Sequence, residues 1–343
     1  MTQKKIIVCN TIHPFVTGGS ELFANKLVEE FNKAGHQATL VTMPFVLNFN
    51  KKSLVKACES WESLDLSKLA DVVIPLRFPT WLVNHPNKVI YLNHQMRVAY
   101  DLYDAPYGPK HSKKTFKASK YVRKMDATLE QAKKIFSVSK NVQDRLKHYS
   151  GLDSDLLYHS LPNEELHYTG NYGNYILSVG RLVRMKRVDL LIKAMALTKT
   201  PVRCIIVGEG SERRNLEKMI EELNIKHKVS LIGWVSDNEL VDLYADSLGS
   251  FYAPVDEDYG LVTLESFKSA KPVITAEDSG GVLEFVRHEV NGWVLPESPE
   301  KFAEVIDTLY LNRELASVMG TAGLESVKHI SWKNCIEKLE EYF

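Results

Sequence analysis

The chain lacks several features that would decide its class early. It has no net charge, with 43 Lys and Arg against 43 Asp and Glu in 343 residues. That balance disfavours a protein whose main task is to coat nucleic acid. Cysteine is scarce: Cys9, Cys58, Cys204 and Cys335 are scattered, and none forms a C-x-x-C pair. Zinc and redox motifs are therefore not indicated, and buried thiols in a reducing cytoplasm are the expectation. No apolar run approaches the roughly 18–20 residues of a transmembrane helix. The apolar stretch at 6–9, behind Lys4 and Lys5, is too short for a signal peptide. No repeat of about 20–50 residues and no low-complexity tract occurs.

What remains is ordinary globular composition, 44% hydrophobic and 25% charged. At about 150 residues per domain, the length suggests two domains. Short Val- and Ile-rich runs alternate with helical patterns. Strands are predicted at 5–9, 38–42, 71–76, 88–92, 134–138 and 156–159, with a helix over 20–34 ended by Gly35. Continuous rather than alternating apolar runs suit parallel strands covered on both faces. The polar stretch 167–174, with Gly170 and Gly173, has no helical period and reads as a linker, with a hinge expected near 165–174. Alternation restarts beyond it, at 175–179, 203–207, 229–232, 250–253, 272–275 and 293–295. Two α/β units joined near the midpoint follow.

In open α/β sheets, ligands sit at strand carboxyl ends, beside helix N-termini that offer free N–H groups. Three loops fit. Thr17-Gly18-Gly19-Ser20-Glu21 follows the first strand; a plain turn with a Ser N-cap is its alternative. In the run 178–187, Gly180 gives backbone room, and Arg181 and Lys186 lie five apart at a strand exit. Two cations there can hold a diphosphate, Arg by its fork and Lys as a point charge; a solvated basic loop is the alternative. In 256–265, Gly260 starts a helix and offers an anion nest. Glu257 and Glu265 need not share a helical face, so they need not be an acid/base pair; each can accept hydrogen bonds from sugar hydroxyls or compensate a helix dipole. Asp256-Glu257-Asp258 has a D-x-D form used elsewhere for metals, but its context favours the nest. Gly208-Glu209-Gly210 fails as a nicotinamide fingerprint, because Arg213 stands where the third glycine belongs.

Together these loops resemble the retaining glycosyltransferases of family 4, most strongly over residues 175–332. The motifs are Ser-Val-Gly-Arg-Leu-x-x-x-Lys at 178–186, E-x7-E from Glu257 to Glu265 with Tyr259-Gly260-Leu261-Val262 inside, and Gly18-Gly19-Ser20-Glu21. Runs at 206–210, 232–235, 271–274 and 280–281 keep the expected intervals. Arg187 departs from the pattern, standing where many relatives carry glycine, and is expected to stiffen the loop.

The resemblance implies a GT-B fold: two Rossmann-like domains facing a central cleft. It implies an acceptor-binding domain of residues 1–168 with a returning helix at 331–343, and a donor-binding domain of 169–330. Arg181 and Lys186 would neutralise the donor diphosphate, with Gly180, Gly208 and backbone at Gly260, Leu261 and Val262 cradling it. Glu257 would hold the transferred sugar, Glu265 the ribose, and Trp234 and Val235 would flank the base. Asp237 could touch a guanine, but Ser236 and Glu239 form a capping-box pattern that gives it a structural reading. Gly18 and Gly19 would contribute from the first domain. His94, after a strand, would lie near the reacting carbon, as in similar bacterial surface-polysaccharide mannosyltransferases. His13, Arg97, Lys113 and Lys117 are acceptor-side candidates. No metal and no cofactor beyond the nucleotide-sugar substrate is expected.

Charge is unevenly spread. Residues 1–170 hold 23 basic and 16 acidic side chains; the remainder holds 20 and 27. Residues 110–124 contain seven Lys and Arg and no acid. A solvated helix face and an anionic membrane or acceptor surface are the two readings. The implied activity is hexose transfer from a nucleotide-sugar, with GDP-mannose preferred over a UDP-hexose, to a glycan or lipid-linked glycan at the cytoplasmic face of a membrane. A GT-B sugar-nucleotide epimerase and a non-catalytic nucleotide-sugar-binding protein are the competing classes.

Overall fold

The computed structural model describes residues 2–14, 18–45 and 49–343. The chain divides into two compact units. One comprises Met1–Pro162 with Ile330–Phe343, the other Asn163–His329.

The first unit runs β1 (Lys5–Ile12), α1 (Gly19–Lys33), β2 (Gln37–Pro44), α2 (Lys51–Glu62), β3 (Val72–Pro75), β4 (Val89–Leu92), α3 (Lys113–Asp126), β5 (Lys134–Ser137), α4 (Lys140–Ser150) and β6 (Asp155–Leu156). Two three-stranded sheets, β2-β1-β3 and β4-β5-β6, are joined by an isolated bridge from Val73 to Lys88. Ile6, Ile7, Val8 and Cys9 of β1 are all buried, as an unbroken apolar run in a two-sided sheet requires. The last predicted strand is shorter than its apolar run. Pairing ends at Leu156, and His159 turns into a ring cluster with Phe23 and Trp332, centroids 4.3 and 5.5 Å away.

The second unit runs β7 (Tyr175–Val179), α5 (Val188–Leu197), β8 (Arg203–Val207), α6 (Arg213–Glu222), β9 (Val229–Gly233), α7 (Asp237–Ala245), β10 (Gly249–Phe251), α8 (Leu261–Lys268), β11 (Val273–Ala276), β12 (Gly292–Leu295), α9 (Pro299–Leu311) and α10 (Arg313–Ser326). One parallel sheet has the order β12-β11-β10-β7-β8-β9. The strand order reverses at the β7/β10 boundary, the topological switch where a crevice opens at the carboxyl ends. The final helix, α11 (Trp332–Glu340), belongs to the first unit, where Trp332 Nε1 donates to the Leu161 carbonyl at 2.8 Å.

Residues 167–174 are not a free linker. A Cβ on Gly170 would lie 2.6 Å from the Ala245 carbonyl oxygen, and one on Gly173 2.4 Å from that of Asp246. The Tyr168 hydroxyl donates to Asp242 at 2.8 Å, and the buried Lys271 donates to the Asn171 carbonyl at 2.7 Å. These glycines serve close approach rather than flexibility, and the units divide earlier, at Pro162 and Asn163. All four cysteines are free and buried.

Candidate active site

The loops leaving β7, β8 and β9 pack backbone on backbone. Gly208 has φ +129°, and a Cβ there would lie 2.0 Å from the Gly180 carbonyl oxygen. A Cβ on Gly210 would lie 2.2 Å from that of Leu182. Leu182 N–H donates to Glu209 O at 2.9 Å, and Gly208 N–H to Gly233 O at 2.8 Å. Any larger residue would part the loops. This contact, rather than a dinucleotide turn, explains Gly208-Glu209-Gly210. Arg213 pairs with Glu209 at 2.6 Å. Arg181 leaves this layer exposed.

Lys186 closes a single 3-10 turn, Arg184–Lys186, before α5. Its Nζ donates to the Tyr252 hydroxyl at 2.9 Å and pairs with the Glu257 carboxylate. Tyr252 lies just beyond β10, so the β7 and β10 exits meet through these three side chains. Burial, then the neighbouring Glu257 charge, holds the Tyr252 phenol well above its usual range, and the Arg181 charge opposes that shift.

The β10 exit is held by the loop after β11. Asp256, at φ +43°, donates its N–H to Asp278 O at 2.8 Å, Glu257 N–H donates to Ser279 O at 3.2 Å, and Gly281 N–H donates to Glu257 O at 2.8 Å. Gly260, at φ +87°, turns the chain into α8. The first-turn N–H groups of Leu261 and Val262 have no intrahelical acceptors, which leaves an anion-binding end. Tyr259 is buried edge-on against Phe285, centroids 5.5 Å apart. Glu265, one turn into α8, accepts from the buried Tyr244 hydroxyl at 2.7 Å. Burial raises the Glu265 carboxyl pKa, and the Tyr244 bond offsets part of that rise. Glu257 and Glu265 thus have separate partners.

Beyond β9, Trp234 is 78% exposed, an unusual state for the largest apolar side chain. Val235 follows it, and Ser236 and Glu239 form the capping box of α7.

The remaining candidates lie in the first unit. Gly18 is the N-cap of α1, its N–H donating to Glu21 Oε2 at 3.0 Å, and Gly19 is the first helical residue. Thr17 lies outside the described residues. Arg77, just past β3, donates to Glu21 Oε1 at 2.6 Å and through Nε to Thr11 Oγ1 at 2.8 Å. The His13 ring lies 6.0 Å from Phe45. His94 follows β4, with Nδ1 2.7 Å from its neighbour's carbonyl, that of Gln95. Arg97 is occupied by Asp101 at 2.6 Å. Lys113 and Lys117 are exposed on α3. The structure therefore groups Lys186, Glu257 and the α8 start, with Glu265 one turn on. It leaves the first-unit candidates in a separate body. Sequence reading missed Tyr244, Tyr252 and Arg77, because a Tyr in an apolar run reads as core and a lone Arg after a strand carries no motif.

Residues 169–326 match the family model described as glycosyl transferases group 1. An uncharacterized glycosyltransferase, MJ1607 of Methanocaldococcus jannaschii, is 33% identical over 46% of this chain and 42% of its own length. The human alpha-1,3/1,6-mannosyltransferase ALG2 is 29% identical over 54% of this chain and 51% of its own. The chain spans about half the length of these curated relatives. Sucrose-phosphate synthase from Thermosynechococcus elongatus superposes with a TM-score of 0.81 at 18% identity, covering 99% of this chain and 98% of that one. Anabaena Alr3699/HepE in complex with UDP and glucose gives 0.74 at 16%, covering 99% of each. At such identities the likeness shows the fold, and that fold is GT-B.

Proposed function

We propose, from the group 1 glycosyl transferase domain that this chain carries over residues 169–326, that the protein is a retaining hexosyltransferase using a nucleotide-sugar donor. The observation that carries the reading is the junction of Lys186, Tyr252 and Glu257 at the β7/β10 switch, beside the N-terminus of α8. A cation, a carboxylate and free N–H groups are what a sugar diphosphate needs: neutralised phosphate oxygens at one end and acceptors for sugar hydroxyls at the other.

In this scheme Arg181, Lys186 and the N–H groups of Leu261 and Val262 stabilise the departing diphosphate. The bond from the anomeric carbon to the phosphate oxygen breaks. The acceptor oxygen bonds to the same face of that carbon, and its proton passes to the departing phosphate. Glu257 orients the sugar, Glu265 the ribose, and Trp234 and Val235 the base. His94 acts near the reacting carbon, Gly18 and Gly19 contact the donor from the first domain, and His13, Arg97, Lys113 and Lys117 are acceptor contacts. No residue is assigned as a covalent nucleophile, and the cationic groups take the role that a metal plays in other transferases.

GDP-mannose is the donor we favour, in keeping with the mannosyltransferase named above. A UDP-hexose is the second reading, since the Anabaena structure holds UDP and glucose. The acceptor we favour is a glycan or lipid-linked glycan at an anionic membrane. The first unit carries 25 Lys and Arg against 17 Asp and Glu, and α3 exposes Lys113, Lys114, Lys117 and Lys120 beside the half-exposed Phe116. Among the described residues, no helix is long and apolar enough to cross a membrane.

The test is transfer from a panel of nucleotide-sugars by the wild type, Arg181→Ala and Lys186→Ala. Losing one cation at the phosphates is expected to cost roughly 10²–10³-fold in turnover. Undiminished turnover by either variant contradicts the phosphate assignment. Cosedimentation with anionic vesicles, wild type against charge-reversed α3, tests the surface.

A further inference from the structure

Arg187 occupies a backbone conformation that disfavours it. Its φ and ψ are +48° and +38°, the left-handed region where a Cβ is costly and glycine is the default. Nevertheless its side chain is only 5% exposed and fully engaged. Nε donates to the Ala253 carbonyl at 2.8 Å and Nη2 to the Pro254 carbonyl at 3.0 Å. The guanidinium also pairs with Asp278 at 2.5 Å and Glu297 at 3.1 Å.

Those partners belong to the segments that build the site. Ala253 and Pro254 form the β10 exit, a few residues before Glu257. Asp278 lies in the loop whose carbonyl receives the Asp256 N–H. Arg187 itself follows Lys186 directly, and the same turn receives the Val255 N–H at the Met185 carbonyl, 2.8 Å away. One planar group therefore ties the Lys186 turn, the strand exit that leads to Glu257 and the loop beneath it. A guanidinium can serve two carbonyls and a carboxylate together, whereas a lysine ammonium is a point charge on a flexible stem.

We propose that Arg187 is a positioning residue, whose buried fork locks the Lys186 turn to the β10 exit and so fixes Lys186 against Glu257 for the donor diphosphate. The ligand in this statement rests on the transferase reading; the lock rests on the contacts alone. The backbone angle makes the idea separable from folding. Arg187→Gly suits the observed φ, so relief of the left-handed backbone offsets part of the cost of losing the fork, and the exchange of distant strands reports whether the fold is kept.

The experiment uses the full chain, with Arg187→Gly, Arg187→Lys and Asp278→Asn. Hydrogen exchange reads the lock without any ligand. In Arg187→Gly the amides of Val255 and Asp256 exchange about tenfold faster or more, while those of β1 and β5 do not change. Asp278→Asn gives a smaller change at the same amides. Calorimetry with GDP and UDP reads the consequence. Affinity, measured well below the melting temperature of each variant, falls by about tenfold in Arg187→Gly, the scale of one charge-assisted hydrogen bond, and Arg187→Lys does not restore it. Unchanged exchange at Val255 and Asp256 overturns the lock. Faster exchange with undiminished GDP and UDP affinity overturns its role in the site. If the wild type binds neither nucleotide, the transferase reading fails, and the exchange result still decides the lock.

Discussion

Each unit has a topological switch beside its first strand, and the two are filled differently. Between β1 and β3, the exit is closed by the protein's own Arg77, which reaches Thr11 and Glu21 and is largely buried. Between β7 and β10, the exit instead presents Lys186 and Glu257, half-buried, with Arg181 exposed beside them. Glycines serve two ends, turning the chain or admitting another backbone, and Gly108 of the first unit is of the second kind, a Cβ there lying 1.8 Å from the Leu102 carbonyl oxygen. In the first unit, Gly35 and Gly151 only turn the chain, and a Cβ there would meet nothing within 4 Å. In the second, Gly208, Gly210 and Gly281 each let one loop lie on another's backbone. Both exits are thus spanned by a buried arginine, Arg77 in one and Arg187 in the other, and the second adds a half-buried cation and carboxylate pair.

The largest expected effect separates those two uses of glycine. Gly208→Ala forces a Cβ to within 2.0 Å of a carbonyl oxygen, so urea unfolding should show a loss above about 3 kcal/mol. Gly151→Ala meets only the left-handed penalty, about 1–2 kcal/mol. Similar losses at both sites would erase the distinction.

Tyr244→Phe is next. It removes the hydroxyl that donates to Glu265 Oε2 and leaves that carboxylate short of a partner in a buried setting. A stability loss of about 1–3 kcal/mol is expected, with weaker nucleotide-sugar binding and a Glu265 pKa raised further. Carboxyl NMR titration of wild type and variant reads the last of these.

A further effect lies in the first unit and depends on pH. Burial pushes the Asp126 carboxyl up to about 7, against the opposing bonds from Tyr100 and Gln95. The folded chain then holds a proton that the unfolded chain has released above about pH 4. This contribution to stability is complete below pH 4 and disappears as the pH rises through 7. In Asp126→Asn that decline should be absent, so melting curves from pH 4.5 to 8 should converge with wild type at the acid end and separate at the alkaline end. Parallel curves would contradict the assignment.

Much of the fold of the second unit was legible in the sequence, because its loops are written in backbone requirements. Gly180, Gly208 and Gly260 sit at strand exits and helix starts, and the cations and carboxylates lie at fixed offsets from them. The first unit was less legible. Arg77 reaches Glu21 across 56 residues, a distance at which no local pattern operates. Tyr244 and Tyr252 read as core because their rings are core; only the hydroxyls report on Glu265 and Lys186. The stretch 167–174 misled because glycine and polar residues mark flexible chain and tight packing alike, and only the carbonyls of Ala245 and Asp246 separate the two.

The central claim is that the β7/β10 switch holds a nucleotide-sugar diphosphate. Calorimetric titration of the full chain with GDP-mannose and a set of UDP-hexoses tests it most directly, wild type beside Lys186→Ala. The account predicts saturable binding of at least one donor and its loss in the variant. Equal binding by both proteins, or binding of none by the wild type, would contradict it.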